Sequence, residues 1–180
     1  MKDLIIKYIQ NCLHELPAQV YWVLLAVLVL GAIVLWAVLG FRKGTVWSLR
    51  LLLLEYLYWL FSLTFLTRSA HAVRSRILTP FRSYQAIREG DRELLVQVIG
   101  NVGVFIPVGL LLGCAFGRMK WWTVALIGAG LSMVIELLQY VFQRGYAEFD
   151  DVFHNLLGCL IGYGVYALID RLASSGKYTA

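Results

Sequence analysis

Trp121-Trp122-Thr123-Val124-Ala125-Leu126-Ile127-Gly128-Ala129-Gly130-Leu131-Ser132-Met133-Val134-Ile135-Glu136-Leu137-Leu138-Gln139-Tyr140-Val141-Phe142 carries one charge and no proline, and lies between Lys120 and Gln143. A helix rises about 1.5 Å per residue, so this stretch matches a hydrocarbon core roughly 30 Å thick. The paired tryptophans at its start suit the headgroup level, where an amphipathic ring is half wet. The stretch therefore reads as a transmembrane helix, and it sets the class of its neighbours.

Working outward, Gly117-Arg118-Met119-Lys120 is a tight basic turn back to an apolar run from about Leu94 to Phe116. Downstream, the polar loop 143–150 leads to a further span, about Asp151 to Ile169, closed by Arg171 and Lys177. Upstream lies a polar stretch, 67–93, with Arg68, Arg74, Arg76, Arg82, Arg88 and Arg92. A span from about Ser48 to Leu66 precedes it, with Arg50 and Glu55 inside. Gly40-Phe41-Arg42-Lys43-Gly44 reads as a short basic turn, and Val20 to Leu39 as a first span flanked by Trp22 and Trp36. Leu4, Ile5, Ile9, Leu13 and Leu16 recur at helical spacing before Pro17, which predicts an amphipathic helix on the membrane surface. The reading is an all-α polytopic membrane helix bundle of about five spans. Its parts are an interfacial segment 1–19, an extra N-terminal span and turn 20–48, a membrane domain 49–170 and a tail 171–180.

Composition agrees. Apolar residues make up 60% of the chain and charged ones 15%, against about a quarter charged in soluble domains. A soluble fold of this size could not hide so much apolar surface, whereas lipid accepts it. The net charge of +5, from 16 basic against 11 acidic residues, falls mostly between apolar runs. That points to anionic lipid and not to nucleic acid. Cys12, Cys114 and Cys159 are too scattered for a disulfide framework. The first apolar run is too long for the core of a cleavable signal.

An ionisable group within a span costs roughly 2.5–3.5 kcal/mol on insertion scales, so each demands a reason. Ser132, Glu136, Gln139 and Gln143 fall on one helical stripe. Asp151, Asn155, Gly158 and Gly162 form a second stripe, and Asn101 lies about two turns into its own span, ahead of Pro107. Three span ends share one membrane side in this order, which places Asn101, Glu136, Gln139 and Asn155 within about 10 Å of one surface. The expected result is a polar pocket lined by Asn101, Glu136, Gln139, Asp150, Asp151 and Asn155. Arg144 stands at its mouth, and Glu148, Asp150, Asp151 and His154 form its rim. A hydrogen-bonded network that merely holds helices together is the alternative. Glu55, near Arg50, reads as a local structural partner. Asp150, Asp151 and His154 have metal-ligand chemistry but lack a second Glu-x-x-His companion, and no nucleophile elbow accompanies the Ser, His and Asp present. No cofactor or metal is expected. Glycines at 109, 113, 117 and at 158, 162 let helix backbones approach, so those faces should point inward.

Four segments carry a resemblance. They are Leu78-Thr79-Pro80-Phe81, Gly100-Asn101-Val102-Gly103-Val104-Phe105-Ile106-Pro107-Val108-Gly109, Ser132 to Gln139, and Asp150-Asp151-Val152-Phe153-His154-Asn155-Leu156-Leu157-Gly158. In this order and spacing, across roughly residues 50–170, the chain resembles the VanZ-like family of bacterial membrane proteins, named for resistance to the glycopeptide teicoplanin. The resemblance implies a bacterial plasma-membrane protein of envelope physiology, without a settled reaction. The leading expectation is a membrane protein that binds a lipid or lipid-linked headgroup, such as a wall precursor, in an outward-facing pocket, with Arg76 and Arg82 drawing phosphate. Alternatives are an intramembrane enzyme with Glu136 or Asp150/Asp151 as acid/base, a transporter, or an assembly partner. Orientation is poorly encoded. Nine basic residues fall on the N-terminal side of five spans and seven on the other. The short basic turns favour an outside N-terminus and a cytoplasmic C-terminus.

Overall fold

A computed structural model describes residues 18–66, 76–77, 79–144 and 147–175. The expected interfacial helix before Pro17 lies outside them. The described chain is helical: α1 (Ala18–Leu39), α2 (Phe41–Phe61) with a π-helical extension Ser62–Leu66, a short α3 (Arg82–Arg88), α4 (Arg92–Phe116), α5 (Trp121–Phe142) and α6 (Phe149–Ser175). Two two-residue strands, β1 (Arg76–Ile77) and β2 (Ala147–Glu148), pair in parallel.

Four helical stretches are long and apolar enough to cross a membrane: Lys43–Phe65, Arg92–Phe116, Trp121–Phe142 and Phe149–Ser175. The first expected span is helical throughout as α1, and its stretch Ala26–Leu39 is apolar. The protein is an all-α polytopic membrane bundle. Its outer faces are inverted relative to a soluble protein. Leu126, Met133, Val134, Leu137 and Val141 of α5 are exposed, as are Val165, Leu168, Ile169 and Leu172 of α6. Water would penalise that surface and acyl chains do not.

The basic turn expected over 40–44 is reduced to one residue. Gly40 adopts φ 75°, accessible to glycine without steric cost, and α2 begins at the next residue. Helix can start this early because Gly44 lies against Trp36, so closely that a Cβ would strike the Trp36 backbone. Lys43 thus belongs to the first turns of α2.

Helix directions follow from named contacts. Gly158 and Gly162 of α6 abut the carbonyls of Val102 and Ile106 on α4, while Gly109 abuts the Cys159 backbone. This pair of helices therefore runs parallel with almost no side chain between them, as the spacing of Gly109, Gly158 and Gly162 predicts. Gly117, expected on the same face, instead ends α4 at φ 77° and faces open space. α5 runs antiparallel to α6: Gly128 meets Cys159, and Asn155 reaches Ser132. α2 is antiparallel to α4, with Arg50 near Ala115 and the Tyr56 hydroxyl donating to the Val104 carbonyl at 2.8 Å. That hydroxyl binds next to the Gly103 carbonyl, which Pro107 leaves without its helical donor. Phe105, Val108, Leu112, Val124, Ile135, Leu60 and Cys159 form the buried core.

The two ends of the bundle differ. One gathers the end of α2, the start of α4, the end of α5 and the start of α6, and is polar. The other is closed by the Gly117–Lys120 turn, where the Tyr163 hydroxyl accepts from Met119 N at 2.6 Å and donates to Met119 O. There Arg118 Nε meets Asp170 Oδ2 at 2.6 Å.

Candidate functional site

At the polar end, the sequence-predicted stripes meet. Ser132 and Asn155 are joined directly, the Asn155 amide donating to the Ser132 hydroxyl at 2.8 Å. Glu136 Oε2 accepts the Glu148 backbone N–H at 2.9 Å, so the last part of α5 holds β2. Glu148 also accepts from Gln97, at 3.5 Å, one turn of α4 before Asn101. Gln139 donates to the Thr64 carbonyl at 2.8 Å, in the π-helical extension of α2. Here Ser62 and Thr64 return their hydroxyls to the carbonyls four residues earlier. Asn101 neighbours the Val102–Gly158 contact, and Asn155 lies one turn before that glycine. Four helices thus contribute polar groups at one level.

The expected rim is covered. Asp150, Asp151 and His154 are 4%, 4% and 1% exposed. Asp150 accepts from Phe81 N at 2.6 Å, Ser83 N at 2.9 Å and Ser83 Oγ at 2.6 Å. Phe81 turns the chain into α3 with a left-handed φ of 60°, uncommon for a large side chain. The Asp150 carboxylate holds that turn in place. His154 Nε2 lies 3.2 Å from the Tyr84 hydroxyl, with the two rings 5.6 Å apart. Phe81 adds an edge contact to Phe153. α3 is therefore folded over the start of α6, and Asp150 is committed to that clamp.

Other expected residues stand apart. Arg82 is exposed at the start of α3, and the Arg76 side chain lies outside the described residues. Arg144 is half-buried with its guanidinium over the Phe65 ring at 5.7 Å. Arg50 does not pair with Glu55; it donates to the Ala115 carbonyl at 3.4 Å and sits over the Trp47 and Phe116 rings. The reason is direction: α2 brings Arg50 level with the end of α4, where free carbonyls and aromatic rings wait. Thr64, Ser83, Tyr84 and Gln97 are polar-end residues that the sequence reading missed. Gln97 had a signal, lying four residues from Asn101 on the same helix face; the others are reached only by long-range folding.

Four buried polar atoms at this end have no hydrogen-bond partner among the described residues: Asn101 Nδ2, Gln139 Oε1, His154 Nδ1 and Asn155 Oδ1. Each such atom costs about 1–3 kcal/mol when left unmet. Donors and acceptors are both represented, which suits a ligand that is itself mixed in polarity.

The segments forming this end are those that carried the resemblance, and the VanZ/LLP1 family model matches residues 47–170. The chain belongs to this family. The match begins within α2 and leaves α1 outside. Protein VanZ of Enterococcus faecium is 32% identical over 104 residues, covering 58% of this chain. The chain spans about 60% of that relative's length. No solved structure matches the chain significantly. Within the VanZ/LLP1 match, Pro80-Phe81 docks onto Asp150, Asn101 and Glu136 are buried, and Gly158 makes the backbone contact between α4 and α6.

Proposed function

We propose that the protein binds a lipid or lipid-linked headgroup at the polar end of the bundle, facing out of a bacterial plasma membrane. It would act there in envelope physiology of the kind for which the VanZ-like family is named, glycopeptide resistance. The observation that carries the reading is the set of four buried polar atoms on α4, α5 and α6 at this end that have no partner among the described residues. A network serving only to join helices would pair its own members, because hydrocarbon offers no other partner. Headgroups of wall-precursor type present hydroxyl, amide and phosphate groups, which match an amide donor, two amide oxygens and an imidazole nitrogen. The apolar outer faces of α5 and α6 would let the attached chain remain in the bilayer.

The test is purification in mild detergent followed by extraction and mass measurement of bound lipid. Glu136→Gln keeps an oxygen for the Glu148 N–H and removes the charge. The variant is expected to remain folded while losing at least about tenfold of the bound species, since a charged hydrogen bond contributes about 1.5–3 kcal/mol. Glu136→Leu removes both. If Glu136→Leu is well expressed and retains the lipid, the polar end is not the binding site. If wild type instead alters the headgroup mass of an added envelope-lipid extract, the protein is an enzyme and the binding reading gives way.

A further inference from the structure

The opposite end of the bundle carries a different arrangement. A cleft of about 480 Å³ opens there, lined by Arg118, Met119, Lys120, Trp121, Trp122, Tyr163, Ala167 and Arg171. Its walls come from two helices and the turn between α4 and α5. That turn is fixed: Tyr163 binds both backbone groups of Met119, and Arg118 is held to Asp170 at 2.6 Å. Arg118 is thereby neutralised. Among the described residues, Lys120 and Arg171 have no acidic partner. Lys120 Nζ lies 5.6 Å from the centre of the Trp122 ring, and both tryptophans are exposed.

Two further features give the cleft its polarity. The first intrahelical bonds of α5 run from Thr123 N and Val124 N to Lys120 O. The N–H groups of Trp121 and Trp122 come before them and lack helical acceptors, as at any helix start. The positive end of the helix therefore points into a site already holding two uncompensated cations. Flanking indole rings place the site at headgroup depth, where acyl chains can run down the outer face of the bundle.

We propose that this cleft binds the phosphate of an anionic phospholipid headgroup, in the leaflet opposite the polar end. The shared chemistry is a phosphate monoanion or diester; the lipid source follows from the exposed indoles and the apolar faces that continue the cleft into the bilayer. The site is independent of the polar-end reading, because no residue is common to the two.

Purified protein in detergent is titrated with phosphatidylglycerol or phosphatidylcholine and the bound species counted by native mass spectrometry. A parallel readout is quenching of tryptophan fluorescence by brominated phosphatidylglycerol. Each near-surface cation contributes a factor of about five toward anionic lipid, so Lys120→Gln/Arg171→Gln is expected to weaken phosphatidylglycerol about 30-fold. Both side chains are exposed and have no acidic partner among the described residues, so the fold survives their loss. A charge-matched control, Arg88→Gln/Arg92→Gln, alters exposed residues at the polar end and is expected to leave affinity unchanged. The proposal is overturned if the first variant retains affinity, if the control loses as much, or if phosphatidylcholine binds equally. Displacement of the lipid by equimolar inorganic phosphate would make the site one for a free anion and would overturn it too.

Discussion

Asp150 stands second in α6 and accepts hydrogen bonds from residues 69 and 67 positions earlier in the chain. Two of the donors are backbone N–H groups, which no side-chain substitution can remove. Asp150→Ala leaves the buried Ser83 N–H and the half-buried Phe81 N–H without an acceptor, while Ser83→Ala deletes one donor and leaves the other two bonds intact. A charged hydrogen bond contributes about 1.5–3 kcal/mol, and a buried unsatisfied donor costs a similar amount again. Asp150→Ala is therefore expected to destabilise the protein by about 3 kcal/mol or more and Ser83→Ala by about 1 kcal/mol. Thermal melting in detergent would measure both, and equal losses would refute the clamp. Sequence could reveal that Asp150 is acidic and close to a span boundary. It could not reveal the partner, because contacts over such separations leave no local periodicity. For the same reason Asp150 read as a ligand-facing rim residue, although α3 covers it. Glu136 was more legible, since its neighbours on the stripe lie within its own helix.

Element by element, the spans were readable because the bilayer fixes both their length and their composition. α5 has the bounds expected of it, and α6 extends further, to Ser175. The break at Gly40 was narrower than expected because glycines and basic residues look like a loop even where close helix packing restores the helix. The glycine faces of α4 and α6 illustrate the opposite case, in which spacing alone identified the contact. Gly109 and Gly162 face backbone so closely that a methyl group has no place, whereas Gly130 and Gly164 face open space. Gly109→Ala and Gly162→Ala must push two helices apart, at about 1–3 kcal/mol for overpacking. Gly130→Ala and Gly164→Ala gain helix propensity of about 0.5–1 kcal/mol instead. Melting temperature and membrane yield should fall for the first two and hold or rise for the others. A uniform response across the four would mean that α4 and α6 do not touch through these faces.

For the whole molecule, the contacts order the ends even though charge counting cannot. α2 leaves the Arg118 end and reaches the polar end, α4 and α6 start at the polar end, and α5 returns to it. α1 precedes α2 with a one-residue break at Gly40, so its start belongs to the polar side. Lys43, Arg118, Lys120 and Arg171 all fall near span ends on the other side. Cations held this close to span ends favour a cytoplasmic location for that side, and the arginines of 67–93, in a segment short enough to count as well, are then assigned to lipid phosphate. The polar end is accordingly predicted to face outward, with the C-terminus in the cytoplasm. Thiol labelling of whole cells decides it, but the position must be chosen from the fold. Ser83 is buried against Asp150, so a cysteine there would disturb the clamp and react poorly. Glu89 at the polar end and Ser174 near the end of α6 are both exposed. A membrane-impermeant maleimide should label Glu89→Cys in intact cells, and Ser174→Cys only after permeabilisation. The reverse pattern would turn the polar end toward the cytoplasm. An outward-facing pocket would then be excluded, and the Lys120/Arg171 cleft would lie in the outer leaflet, where its affinity for anionic lipid would remain testable on its own.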